Sequence, residues 1–217
     1  MKKRILTIFA FIAIVLVSRA QNPYQDGLKT ATSSLQNAKT VKDYEKLGAQ
    51  FEKLTAAPDA DWLASYYAAF CNARIGWLYQ NSGEKIEPYA DKAEKQIMNA
   101  LTYLDSGTQK KEISEVYVVL SMVNRSKVFI NQMTYGPKNG LASMQYYQKA
   151  LKANPANPRA NWLEGWDKFY APKMYGGDRV KAKQILESAM QQWTAEKPGN
   201  NYPHWGRAEI ETLLKQL

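Results

Sequence analysis

The chain has 217 residues, 45% of them hydrophobic, enough to bury a core of its own. Its 29 Lys and Arg against 20 Asp and Glu give +9, but Lys2, Lys3, Arg4 and Arg19 fall in an N-terminal targeting segment, leaving 25 bases against 20 acids. Those bases are interspersed with acids, which excludes the basic stripe of a nucleic-acid binder, and a single Cys excludes an internal disulfide.

Residues 1–20 read as a signal peptide. Lys2, Lys3 and Arg4 give a positive start, Ile5 to Val17 is an almost unbroken apolar run, and Ser18-Arg19-Ala20 places small residues at the cleavage positions. The run is short of the roughly 20 residues a membrane span needs, so an uncleaved anchor is the lesser alternative. The lone Cys71 is far from the cleavage point, which excludes lipid attachment there. The expectation is cleavage after Ala20 and a soluble periplasmic protein with no stable membrane insertion. Residues 21–217 then form one domain.

From there the apolar positions recur at helical spacing, and no strand pattern emerges. Leu28, Ala31, Leu35 and Ala38 make one stripe. Thr40, with Asp43 three residues on, predicts a capping box opening a helix whose stripe is Val41, Tyr44, Leu47, Phe51 and Leu54. Trp62 to Gln80 reads as a helix apolar on most faces, ended by Asn81-Ser82-Gly83. Pro88 fits the first turn of the next, which is predicted to reach about Leu104. A long helix is predicted over about Lys111 to Met133, then a turn at Tyr135–Gly140 and a helix over Leu141–Ala153. Asn157-Pro158 caps and opens 158–170. Tyr175-Gly176-Gly177-Asp178 is a tight turn whose Asp178 caps the helix to Trp193, and Pro203 opens a last helix carrying Ile210, Leu213, Leu214 and Leu217.

Nine helices follow: four hairpins and a terminal one. Ala and large aromatics fill the packing positions of the second helices, as in Tyr89-Ala90…Ala93…Ile97…Ala100 and Ala182…Leu186…Ala189…Trp193. The expected fold is therefore all-α, a right-handed stack of antiparallel helical hairpins of the tetratricopeptide-like solenoid kind, with a C-terminal capping helix. The repeats are irregular and longer than the ideal unit of about 34 residues.

The C-terminal half, Asn154-Pro155-Ala156-Asn157-Pro158-Arg159-Ala160 through Gly165, Phe169-Tyr170-Ala171-Pro172, Gly176-Gly177, Lys181-Ala182 and His204-Trp205-Gly206, resembles a family of exported tetratricopeptide-like proteins of Gram-negative bacteria. Trp62-Leu63-Ala64-Ser65-Tyr66-Tyr67-Ala68-Ala69-Phe70-Cys71 is similar to the same family. The resemblance implies a helical-repeat fold, export and non-enzymatic binding. It carries over no catalytic residue.

Nothing in the residues asks for chemistry. The Tyr175–Asp178 glycines lack the Gly-Lys-Ser/Thr ending of a phosphate loop. His204, the one His, and Cys71 cannot assemble a typical metal site. His204 is expected to pack or hydrogen-bond locally. Glu84/Glu87 and Glu209/Glu211 lie at helix starts or on exposed-looking faces. The expectation is no enzyme, no cofactor and no metal.

Candidate binding residues come from polar and aromatic side chains on the first helix of each hairpin, which lines the concave face of such stacks. Tyr117, Asn124 and Asn131 recur at seven-residue spacing with Lys127 on the same side. Tyr67 and Arg74 repeat that spacing, and Trp166 and Tyr170 occupy helix 158–170. The plainer reading is that these residues satisfy one another between helices. The sequence points to a binding or scaffold module for a peptide or cell-envelope partner protein, with self-association open. The alternative is a carbohydrate or small-ligand binder that stacks its ligand on Tyr and Trp.

Overall fold

The computed structural model describes residues 22–217, so the targeting segment expected at 1–20 lies outside the described residues. Every regular element described is helical. In chain order they are α1 (Pro23–Leu35), α2 (Val41–Leu54), α3 (Trp62–Leu78), α4 (Glu87–Leu101), α5 (Lys110–Ile130), the single turn α6 (Gln132–Tyr135), α7 (Leu141–Ala153), α8 (Pro158–Tyr170), α9 (Arg179–Ala195) and α10 (Arg207–Leu214).

The caps act as their local chemistry dictates. The Thr40 hydroxyl accepts from the Asp43 amide while the Asp43 carboxylate accepts from the Thr40 amide. Asp178 accepts from the Lys181 amide at 3.0 Å and so starts α9. Asp61, which was not read as a cap, does the same for α3 through the Leu63 amide at 2.8 Å.

Three predicted boundaries need correction. The long helix stops at Ile130, short of Met133, because Asn131 is extended (φ −161°, ψ 112°) and its side chain accepts from the Thr134 amide. Asn therefore ends one helix and caps the short α6, competition that Asn side chains commonly win against helix continuation. The turn expected at 135–140 is a wide helical one over Gly136–Gly140. The helix expected to reach Leu104 ends at Leu101. The last helix opens at Arg207 instead of Pro203, because Gly206 sits at φ +110°, outside the helical region. Counting α6, the described helices number ten, against nine expected.

The core is organised by α3 and α5. α3 is apolar all round and is enclosed by α2, α4 and α5. α5 meets α3, α4, α7 and α8. Close approach depends on small residues: a Cβ on Gly76 would lie 2.8 Å from the Ser126 Cβ on α5. One on Gly165 would lie 2.7 Å from the Leu186 Cγ across the α8–α9 contact. Large side chains such as Phe51, Ile75, Ile97, Leu120 and Leu186 are fully buried there, each contributing roughly 1.5–3 kcal/mol.

One buried polar cluster pins α5 to α8. Asn157 caps α8 by accepting from the Arg159 and Ala160 amides. Its amide group donates to the Ser114 hydroxyl at 2.9 Å and to Glu115 Oε1 at 2.7 Å. Arg159 meets both oxygens of Glu115 at 2.8 Å, and both side chains are 1% exposed. Asn157→Ala removes the cap and those two donors together. It is expected to destabilise the chain by about 2 kcal/mol, the upper end for a lost N-cap, as measured by urea unfolding.

Candidate functional site

The segment between α9 and α10 folds back over the opposite end of the chain. Asn201 takes a left-handed conformation (φ 59°), one that Asn tolerates better than most residues. Its side chain donates to Gln25 Oε1 of α1 at 3.1 Å, and its carbonyl accepts from the Tyr67 hydroxyl of α3 at 2.8 Å. Tyr202 packs edge-on against Trp62, with ring centres 5.8 Å apart. Trp205 lies 4.5 Å from the Phe70 ring and donates its indole N–H to the Tyr66 hydroxyl at 2.9 Å. Aromatic contact, more than regular structure, holds this segment in place.

Between it and α1 and α3 lies a cleft of about 1430 Å³. That exceeds the ~300–1,000 Å³ of sites for drug-sized ligands. Its walls include the rings of Tyr44, Tyr67, Phe70, Trp193, Tyr202 and Trp205, together with Arg74, His204 and Arg207. Lys29 and Lys39 stand exposed at its edge, as does the acid Asp26, with Glu211 half-buried beside them. Arg74 is paired with Glu209 at 3.1 Å and lies over the Tyr44 ring. Arg207 pairs with Glu211 and lies over Trp193.

Three buried polar atoms of this wall have no hydrogen-bond partner: Arg74 Nε, Trp193 Nε1 and the Tyr202 hydroxyl. Buried donors are usually paired, and leaving one unpaired costs about 1–3 kcal/mol. Burial, reinforced by Glu115, pushes the Tyr67 and Tyr202 phenols well above their ordinary range, so both remain neutral donors. Cys71, fully buried beneath the wall, has its thiol pushed up by burial and supplies no thiolate.

His204 stacks on Trp193 with centres 4.4 Å apart and planes 18° from parallel. Its Nδ1 lies 3.1 Å from Glu196 Oε2. Glu196 is held in turn by Arg159, Nη2 to Oε1 at 2.6 Å and Nη1 to Oε2 at 3.0 Å. Burial alone would raise the Glu196 carboxyl; the Arg159 hydrogen bonds and charge outweigh it and hold it below the usual range.

The structure divides the eight residues singled out from sequence. Tyr67 and Arg74 line the cleft. Asn124 is buried, donating to the Leu120 carbonyl and accepting from Asn139. Lys127 is paired with Asp91 and Glu94 on α4. Tyr117 packs beside Tyr146, with Lys149 over both rings. Exposed Asn131 caps α6. Trp166 and Tyr170 pack against each other at a tilt, and Trp166 joins Trp77 and Phe129 in an aromatic cluster that lies outside the cleft but reaches Trp205 through Trp162. The residues that complete the cleft wall, Trp193, Tyr202, His204 and Trp205, were not among the eight. Their signal was the run of aromatics with the one His around Tyr202–Trp205, which the sequence reading had divided between a loop and the start of the last helix.

Among the described residues, no three His, Cys, Asp or Glu side chains converge as a metal site, and no helix is long and apolar enough to cross a membrane. No family model and no curated protein matches the chain. Among solved structures it is similar to the HusA haemophore from Porphyromonas gingivalis, at 25% identity and a TM-score of 0.78, over 89% of this chain and 92% of that one. The all-α fold resembles that haemophore's.

Proposed function

We propose that this protein is an exported, non-enzymatic ligand binder whose cleft takes a large planar aromatic acid of the porphyrin class. The observation that carries the reading is the cleft wall itself: aromatic rings around unpartnered Arg74 Nε, Trp193 Nε1 and Tyr202 hydroxyl donors. A flat macrocycle suits ring-lined walls, and its carboxylates suit unpartnered donors with Lys29 and Lys39 at the edge. Likeness to a haemophore supports the same ligand class. The helices that build the cleft are read as a tetratricopeptide-like stack, and export by the 1–20 segment is part of the proposal.

The test is titration of the chain with protoporphyrin IX, followed by quenching of Trp fluorescence, since Trp193 and Trp205 face the cleft. Saturable binding is expected, weakened roughly tenfold by Arg74→Ala, the equivalent of one charge-assisted hydrogen bond. Titration without saturation would sink the reading.

A second reading, a site for a partner protein or peptide, is favoured by the strongly exposed Met174, Tyr175 and Val180 next to exposed Tyr170. Loss of a specific partner on changing Met174 and Tyr175 to Ser would support it.

A further inference from the structure

The turns joining α3 to α4, α5 to α7 and α8 to α9 meet at one end of the helices. Phe129, near the end of α5, packs edge-on against Trp77 of α3 at 5.7 Å and lies 6.2 Å from Trp166 of α8. A Cβ on Gly83 would lie 2.8 Å from the Ile130 carbonyl oxygen, so the α3–α4 turn closes onto the same place. Two of these turns hold apolar side chains out to solvent. Met133, 91% exposed, and Leu141 stand on one; Tyr170, Met174, Tyr175 and Val180 stand on the other. We propose that this end of the protein docks peripherally on an anionic phospholipid bilayer, with those side chains reaching among the headgroups.

Charge selects the occupant. Residues 131–141 carry Lys138 and no acid, and residues 171–183 carry Lys173, Arg179, Lys181 and Lys183 against Asp178 alone. All five bases are exposed, and Asp178 is engaged in capping α9. The other acids at this end, Glu84 and Glu87, belong to the α3–α4 turn and flank Lys85. Apolar side chains and bases therefore coincide on the same two turns. Attachment to an anionic lipid surface takes that pairing: shallow apolar insertion and a basic patch each bind weakly alone and hold together. Tyr170 and Tyr175 suit the headgroup level, where a ring with a polar tip is favoured. The same apolar side chains would serve a protein partner, but Lys is depleted from protein interfaces, and four of the five bases are Lys.

Folding does not ask for these bases. Arg179 and Lys181 stand in the first turn of α9, which holds no acid, and Lys183 follows. That is the positive end of the helix dipole, where acids stabilise a helix and bases oppose it. Among the described residues no helix is long and apolar enough to cross a membrane, so the contact is with the surface only. α9 leads from this end to the cleft: Trp193 stands fourteen residues beyond Arg179, about 20 Å along the helix. The docked end and the cleft wall are thus separate surfaces, and the proposal stands whether or not the cleft takes a porphyrin.

The experiment is co-sedimentation of residues 21–217, which hold every described helix, with vesicles of phosphatidylcholine alone or mixed two to one with phosphatidylglycerol. The mixed vesicles should bind the chain at least about tenfold more tightly than the neutral ones. Raising the salt from about 0.1 M to about 1 M shortens the screening length from about 10 Å to about 3 Å and should remove most of that difference. Lys173→Glu with Arg179→Glu should weaken binding to the mixed vesicles at least about tenfold. Met133→Ser with Met174→Ser should weaken it at both salt concentrations, because the apolar part is not screened. Lys111→Glu with Lys152→Glu lies at the opposite end, where α5 starts and α7 stops, and changes the net charge equally. It should bind within about twofold of the parent, since screening confines the attraction to nearby charges. All six side chains are exposed, so far-ultraviolet circular dichroism should match the parent throughout. No binding of the parent to the mixed vesicles at low salt would overturn the proposal and leave the patch to a protein partner. Equal weakening by the two charge-reversal pairs would also overturn it, because net charge and not this end would then drive attachment.

Discussion

Arg159→Ala should lose about 3–5 kcal/mol of folding stability, the range for breaking a buried ion pair from one side. Arg159 is 1% exposed and is held by Glu115, Glu196 and the Trp205 carbonyl. Burial works against its charge; Glu115 first, then Glu196, more than restore it. Burial likewise raises the Glu115 carboxyl, and Arg159 is what opposes that shift. Without the guanidinium, Glu115 must either stay charged in an apolar interior or take up a proton, and both outcomes destabilise the fold. A typical domain has only about 5–15 kcal/mol in all, so the variant should be marginal. Replacing both partners, Arg159→Met with Glu115→Met, should recover most of the loss, since no uncompensated charge remains. Urea unfolding of the three chains checks this. A single variant within about 1 kcal/mol of the parent would show that water reaches Glu115.

Trp162→Ala should cost a similar amount, about 3–5 kcal/mol, by opening a cavity that its neighbours cannot close. The side chain is 2% exposed and lies between Trp77, 5.3 Å away, and Trp205, 6.0 Å away. Its Nε1 has no hydrogen-bond partner, so the indole contributes packing and no hydrogen bond. Trp162→Phe should therefore keep most of the stability, because the part of the ring it loses makes no hydrogen bond. Trp205 leans on Trp162 and lines the cleft, so the Ala variant should also weaken ligand binding where the Phe variant does not. Thermal unfolding with near-ultraviolet circular dichroism separates the two. Equal losses for Ala and Phe would mean that ring shape, and not volume, is what Trp162 contributes.

These two residues mark the limits of reading the chain from sequence. Local signals were legible because their chemistry spans three or four residues: the Thr40–Asp43 box, the Asn157 cap and the Asp178 cap all act as the spacing predicts. The pattern of Trp62–Gln80, apolar on most faces, marked a helix, and the structure places it at the centre. Asn131 defeated the periodicity because a single side chain outcompeted an otherwise helical run. The seven-residue spacing that joined Asn124 to Tyr117 and Arg74 to Tyr67 says which side chains share a helix face. It does not say whether that face meets another helix, as at Asn124, or open space, as at Arg74. The cleft was illegible for a further reason: it is made by contacts with no local signature, the Tyr67–Asn201 bond spanning 134 residues and the Gln25–Asn201 bond 176.

That last separation sets an order of events. During synthesis the chain emerges progressively, and α1 is available long before Asn201 appears. Until about 176 further residues have followed Gln25, the cleft has a floor and no lid. A nascent or truncated chain carries most of the core and none of the closing wall. On the proposed reading, the cleft is complete only in the finished molecule, so a chain truncated before Asn201 should not hold the ligand.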